Sequence, residues 1–194
     1  MSLIQTGLIV FSGIPILATA FLGYQLMRNG QGAMGQPSIP AGLFYPTKAI
    51  IGLIFASLFI SSIKPDFFLF FPWLIQNEIP EIQKLLSIIF LLGGNLLLIP
   101  AYYSLSIFTR VGLPTTEHAL QTSGVYQISR NPMYASFFFF NTACFLLIPS
   151  LSLAIFMLFN LIAHHFIILN EEKFLTNTFK DQYLLYKKDT ARYL

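Results

Sequence analysis

Charge is what this sequence has least of. Only 10% of its 194 residues are Asp, Glu, Lys or Arg, where an ordinary soluble domain carries about 25%. With 55% of the chain hydrophobic, there is too little polar surface to cover a core in water, so a soluble globular domain is excluded. Cysteine is nearly absent as well. The single thiol, Cys144, stands inside an apolar run, which excludes a disulfide framework and a cysteine-based metal centre. Histidine is scarce, and His164 and His165 are adjacent, so they point to different faces and make no ligand pair; no metal is expected.

What the sequence has instead is long apolar stretches. Charge-free runs cover Leu3–Met27, Ala49–Ile63, Leu85–Thr109, Pro132–Pro149 and Leu151–Asn170. A helix crossing the hydrocarbon needs roughly 17–25 apolar residues. Four runs meet that length, and the short second one is flanked by Lys48 and Lys64, whose stems can snorkel to the two interfaces. The first run lacks a basic leading segment and is too long for the core of a cleavable signal. The expectation is an all-α integral membrane bundle of five transmembrane helices, one domain over residues 1–194, with an amphipathic C-terminal helix. Residues 1–84 hold the first two spans and residues 85–194 the chemical core.

The basic residues set an orientation. Nine of the eleven lysines and arginines lie in loop one (Arg28, Lys48), loop three (Arg110, Arg130) and the tail (Lys173, Lys180, Lys187, Lys188, Arg192). Loop two carries Lys64 and Lys84 against Asp66, Glu78 and Glu81. The positive-inside rule then places the N-terminus outside and loop one, loop three and the tail in the cytoplasm. The same rule accounts for the net charge of +3 without a nucleic-acid partner; membrane lipids are the expected surroundings.

Smaller signals fill in the architecture. Phe67–Trp73 (FFLFFPW) suits an interfacial anchor. Gly93-Gly94-Asn95 predicts close helix contact and Pro100 a kink in the third span. A Pro149-Ser150 turn makes spans four and five an antiparallel hairpin. From Glu171 onward, Phe174, Leu175, Phe179, Tyr183 and Tyr186 form an apolar stripe, predicting an amphipathic helix against the bundle. Residues 30–35, GQGAMG, match a dinucleotide-binding glycine pattern literally, but no strand precedes them and Pro37 and Pro40 follow, so they are a loop.

Chemistry concentrates where loop three meets the fourth span, in the stretch TSGVYQISRNPMY (residues 122–134). Thr122-Ser123-Gly124 is turn chemistry, and Asn131-Pro132 predicts a helix with Asn at the N-cap and Pro at the first position. The unpaired N–H groups and positive dipole of that helix end, with Arg130 beside them, suit an anion such as a carboxylate. The plainer alternative is a capped helix whose arginine meets lipid phosphate. On the fifth span, Asn160, His164 and Glu171 share one face, with His165 and Glu172 beside it. Ionisable residues on a membrane helix are costly and point to a site; each histidine alone is more simply a satisfied packing residue, and the glutamates can also serve as partners of Lys173 or Arg130. The short hairpin turn brings Arg130 and Glu171/Glu172 to one mouth. Opposite charges there can hold a zwitterion, which points to a cofactor with an amino acid end.

These strings, His118-Ala-Leu-Gln-Thr-Ser-Gly124-Val-Tyr126, Arg130-Asn-Pro-Met-Tyr134, Glu171-Glu172 and Phe179 through Tyr183, Tyr186 and Arg192, resemble the isoprenylcysteine carboxyl methyltransferase family, part of a wider group with the phospholipid N-methyltransferases. The resemblance spans roughly residues 85–194. It implies a membrane enzyme using S-adenosylmethionine, with His118, Leu120, Gly124, Tyr126, Arg130, Asn131, Pro132, Tyr134, Glu171 and Glu172 around the cofactor. It also implies Arg130, Glu172 and Arg192 at the reacting end. Asn131 stands where the family usually has histidine, Ser136 where a glycine often follows, and Lys180 where a glycine is common. The implied function is methylation of a lipophilic acceptor entering from the bilayer, with carboxylate O-methylation preferred. The alternatives are phospholipid N-methylation, or a non-catalytic membrane scaffold that retains the fold.

Overall fold

A computed structural model describes residues 2–30, 35–70, 78–105 and 119–194. Six helices account for most of these: α1 (Leu3–Arg28), α2 (Ala41–Ile63), α3 (Glu81–Leu105), α4 (Pro132–Leu147), α5 (Leu151–Phe179) and α6 (Asp181–Asp189). Short 3-10 turns cover Pro65–Phe70 and Gly124–Gln127. No strand occurs among the described residues. The all-helical membrane architecture is the expected one, since a backbone in hydrocarbon must satisfy its own hydrogen bonds.

Four helices, α1, α2, α3 and α5, are long and apolar enough to cross a membrane, and α4 is the shorter fifth apolar helix. That reverses the expectation for the second run. Helix α2 begins at Ala41, so Lys48 lies two turns inside it rather than at its end. The fourth run instead gives only 16 helical residues, about 24 Å of rise, because the helix closes at Ile148, ahead of Pro149.

The GGN prediction is met by the packing of α3 on α4. A Cβ on Gly93 would come within 2.8 Å of the Phe139 ring, and one on Gly94 within 2.8 Å of the Phe140 ring. Absent side chains let those rings sit against the α3 backbone, and α4 packs along α3 more than against α5. Asn95 donates to the Phe11 carbonyl at 2.8 Å and Ser87 to the Ala143 carbonyl at 3.1 Å, tying α3 to α1 and to α4. Pro100 lies inside α3 without ending it. The buried centre of the bundle includes Phe44, Leu58, Leu91, Leu98, Phe140 and Ile167.

Helix α5 overturns one expectation. It does not stop at Asn170 but runs on to Phe179. The twenty steps from Leu151 to Glu171 rise about 30 Å, the thickness of the hydrocarbon core, so the two glutamates arrive at the opposite interface. The apolar stripe expected of one tail helix is divided between α5 and α6. The break is at Lys180, whose φ of 47° and ψ of −120° belong to a region that glycine tolerates and a side chain does not. Beyond it, α6 folds back and buries Tyr183 completely.

Of the remaining signals, the anchor stretch Phe67–Trp73 is described as far as Phe70, within the 3-10 turn, and residues 31–34 of the glycine-rich loop lie outside the described residues.

Candidate functional site

The starts of α2 and α4 and the end of α5 meet at one end of the bundle, together with the chain's C-terminal residues. Two consecutive glutamates organise what happens there. Successive side chains on a helix diverge by about 100°, so Glu171 and Glu172 address different neighbours.

Glu172, buried to 4% exposure, is the hub of the first cluster. Its Oε1 accepts from Arg130 Nη2 at 3.1 Å and Nε at 3.3 Å, from Asn131 Nδ2 at 3.3 Å and from Arg192 Nε at 3.1 Å. Its Oε2 accepts from Arg192 Nη2 at 3.0 Å. Arg130 is equally committed: Nη1 donates to the carbonyls of Lys187 and Thr190, and its backbone N–H to the Ala191 carbonyl at 2.9 Å. The Arg192 carbonyl accepts from Ser129 Oγ and Asn131 Nδ2, both at 3.2 Å. The C-terminal residues are thus clamped onto loop three. The guanidinium of Arg192 is held charged chiefly by its hydrogen bonds to Glu172, which push its pKa up.

Helix α4 starts at Pro132 with Asn131 at the N-cap position, as the sequence indicates, but the asparagine side chain makes no capping bond. Its Nδ2 donates to Glu172 and to the Arg192 carbonyl instead. Its own N–H is taken by Ser129 Oγ at 3.1 Å.

The second cluster surrounds Glu171. Tyr134 donates its hydroxyl to Glu171 Oε1 at 2.7 Å, and Lys48 Nζ donates to that same hydroxyl at 3.4 Å. The lysine ammonium lies 4.7 Å from the centre of the Tyr134 ring and 5.3 Å from that of Phe44, a cation–π arrangement. Tyr126 is buried nearby: burial first, then Tyr186 and Glu171, push its hydroxyl above the usual tyrosine range. The Tyr126 carbonyl accepts from Tyr186 at 2.6 Å. Burial pushes the Tyr186 hydroxyl up to about 12, so it stays a donor.

Sequence reasoning missed Lys48. It treated the residue as an interfacial lysine at the end of a short run, and the available signal was a lysine with Phe44 one turn before it on the same helix face. Of the other expected site residues, Gly124 takes a φ of +64° that starts the turn leading to Tyr126. Leu120 borders a cavity against α6, with Gln182, Leu185 and Tyr186. His118 lies outside the described residues.

Below the Glu171 cluster the hairpin opens. A cavity of about 270 Å³ between α4 and α5 has Tyr134, Phe137, Asn141 and His164 among its lining residues. A neighbouring one of about 340 Å³ shares Tyr134, Phe138, Leu161 and His164 and reaches His165 and Tyr193. Their rim includes Phe138, Leu158 and Leu161, all exposed on the outer face of the bundle, so an apolar chain in the bilayer can enter sideways. His165 Nδ1 lies 2.6 Å from the Tyr193 hydroxyl, and His164 Nδ1 lies 2.9 Å from the Asn160 carbonyl.

Together the two clusters offer opposite charges at a polar mouth, next to an apolar opening in the side of the bundle. No curated protein and no solved structure matches the chain. A family model does: that of phospholipid methyltransferase matches residues 82–182, from the start of α3 into α6, over half of the sequence. This agrees with the wider group that the sequence strings resemble, and the chain belongs to the phospholipid methyltransferase family of membrane methyltransferases.

Proposed function

We propose that the protein is an S-adenosylmethionine-dependent methyltransferase that methylates an amine-bearing lipid reached from within the bilayer, its polar mouth facing the cytoplasm. The observation that carries this reading is the Lys48–Tyr134–Glu171 arrangement: a cation and a carboxylate joined through one hydroxyl. A methionine moiety is a zwitterion, and this donor set fits it, with Glu171 toward the ammonium and Lys48 toward the carboxylate. When bound, the cofactor supplies an electrophilic methyl group on a sulfonium.

The chain's own residues supply alignment. Arg130, Asn131 and Arg192 hold Glu172, and with it the end of α5 and the C-terminal residues, in one arrangement. We therefore assign Arg130, Glu172 and Arg192 as positioning residues. Orientation of this kind can be worth about 7–11 kcal/mol in a two-reactant step. Tyr134 offers a ring face that already lies against a cation, and Tyr126 closes the same side. By the family resemblance, His118, Leu120, Gly124 and Pro132 are the further cofactor residues of this proposal.

The choice of acceptor follows from which charges are free. A carboxylate acceptor needs a cation to orient it, and Arg130 and Arg192 are both engaged by Glu172. An amine needs none, and entry into an apolar groove favours its neutral, nucleophilic form because burial disfavours the ammonium. That reading also accords with the family's phospholipid substrates. Carboxylate O-methylation, which the tail residues favour by resemblance, would require Lys48 to turn to the acceptor.

The test is calorimetric binding of S-adenosylmethionine to the detergent-purified protein, with Lys48→Met and Glu171→Gln alongside. Binding that both variants lose, at unchanged melting temperature, supports the site. A folded native protein that binds nothing would leave a scaffold. With labelled donor and total lipid extract, methyl label that is stable to base supports the amine reading; label released as methanol would replace it with an ester.

A further inference from the structure

Two side chains in the α4–α5 cavity are left with hydrogen-bonding capacity of the same kind. His164 is 5% exposed and Asn141 6%, and both line the cavity of about 270 Å³. His164 Nδ1 faces the Asn160 carbonyl at 2.9 Å. A carbonyl can only accept, so Nδ1 carries the proton and the neutral ring is left with a lone pair on Nε2. Asn141 Nδ2 donates to the Phe137 carbonyl at 2.6 Å, which fixes the amide with its oxygen as the other end. Nε2 of His164 and Oδ1 of Asn141 are both buried without a hydrogen-bond partner among the described residues. Of the cavity's other polar groups, the Tyr134 hydroxyl donates to Glu171 and Asn160 Nδ2 to the Thr47 carbonyl.

We propose that this cavity binds a lipid carrying an uncharged O–H or N–H donor at the head of an apolar chain, with His164 Nε2 and Asn141 Oδ1 as its acceptors. The walls are otherwise apolar, and among the described residues no lysine or arginine lines them. A carboxylate or an ester brings only acceptors to two lone pairs and leaves all of them unpaired, which is costly in a dry site. A hydroxyl or an amide N–H supplies one hydrogen and pairs one of the two.

The depth of the pair sharpens the class. His164 is seven residues from Glu171 along α5, about 10 Å, and Asn141 nine from Pro132 along α4, about 13 Å. The donor therefore lies below the polar mouth, at the junction of headgroup and chain rather than in the headgroup. A chain joined through an amide, or hydroxylated near its head, places a donor there; a chain joined through an ester does not. As a description of the methyl acceptor this rests on the methyltransferase reading; as a ligand site it does not.

The probes are 1-hexadecanol, its methyl ether 1-methoxyhexadecane, and hexadecanoate in a buffer alkaline enough to keep it ionised, each measured for binding to the full-length protein in nanodiscs. Alcohol and ether differ in the donor and one methyl. The alcohol is expected to bind roughly tenfold tighter than the ether, the size of one unpaired buried acceptor, with hexadecanoate at or below the ether. His164→Phe and Asn141→Leu are expected to shrink that ratio while both probes still bind. Equal affinity of alcohol and ether for the native protein overturns the proposal, as does preference for hexadecanoate or an unchanged ratio in both variants. The first comparison needs no variant, so a misfolded mutant does not shelter the idea. S-adenosylmethionine binding on the same preparation separates the readings. Donor preference without cofactor binding refutes the methyltransferase and keeps the site, and the converse removes the site alone.

Discussion

Arg130 and Glu172 lie 42 positions apart in the sequence and form a 3.1 Å ion pair with side-chain exposures of 7% and 5%. A buried pair of this sort costs most when one partner is removed, because the survivor keeps its charge and loses its counter-charge. Glu172→Ala is expected to destabilise the protein by about 3 kcal/mol, read as a fall in melting temperature in detergent. Arg192→Ala is expected to cost less than about 1 kcal/mol, since that side chain is 31% exposed. Equal effects of the two would mean that Glu172 is not the hub described here. The same coupling makes Glu172→Ala a poor probe of cofactor binding, because stability and site change together.

Lys180 is the described non-glycine residue with positive φ, at 47°. A side chain in that conformation carries strain of about 1–3 kcal/mol. Lys180→Gly should therefore raise stability, by about 1 kcal/mol after the added freedom of the unfolded chain is subtracted. Chemical denaturation of the two proteins side by side decides it, and a less stable glycine variant would refute the strained hinge between α5 and α6.

Gly93 and Gly94 are not equivalent. A Cβ on Gly94 meets the Phe140 ring, which is fully buried and has nowhere to go, whereas the Phe139 ring facing Gly93 is only partly buried. Gly94→Ala should cost about 2–3 kcal/mol by overpacking, and Gly93→Ala distinctly less. The reverse order in thermal unfolding would show that α3 and α4 are not apposed in this register.

Tyr134→Phe keeps the ring beside Lys48 but removes the hydroxyl that joins Lys48 to Glu171. If that arrangement holds the methyl donor, affinity for S-adenosylmethionine should fall roughly tenfold, the loss of one hydrogen bond to charged groups. The melting temperature should move by only a few degrees. Unchanged affinity would separate the hydroxyl from the cofactor.

Much of the site was visible before any coordinates. Arg130, Asn131, Tyr134, Glu171 and Glu172 do converge, since a short turn between two apolar helices leaves their far ends together. What the residues do to one another was not visible. Arg130 and Glu172 were expected to flank a ligand, with direct pairing as the plainer alternative, and they engage each other. Lys48 was read as an interface anchor, since a run of uncharged residues marks where charge stops and says nothing of where a helix begins; α2 starts at Ala41, before the lysine. Asn131 was placed correctly at the N-cap, but its side chain bonds across to α5 rather than to its own helix.

By itself the sequence determined that this chain lives in a membrane, that it is helical, and which five apolar segments build it. Those properties depend on composition and local periodicity, and long continuous apolar runs, unlike the alternating strands of a barrel, satisfy their backbone in hydrocarbon as helices. Only the tertiary structure decided which way each polar side chain turns. The rotation and axial offset of α4 against α3 and α5 pair Glu172 with two arginines and Glu171 with Tyr134. The same packing leaves His164 and Asn141 with unused acceptors in an apolar cavity. A rotation about a helix axis changes every such partner without altering the hydrophobic pattern, so the pattern cannot record it.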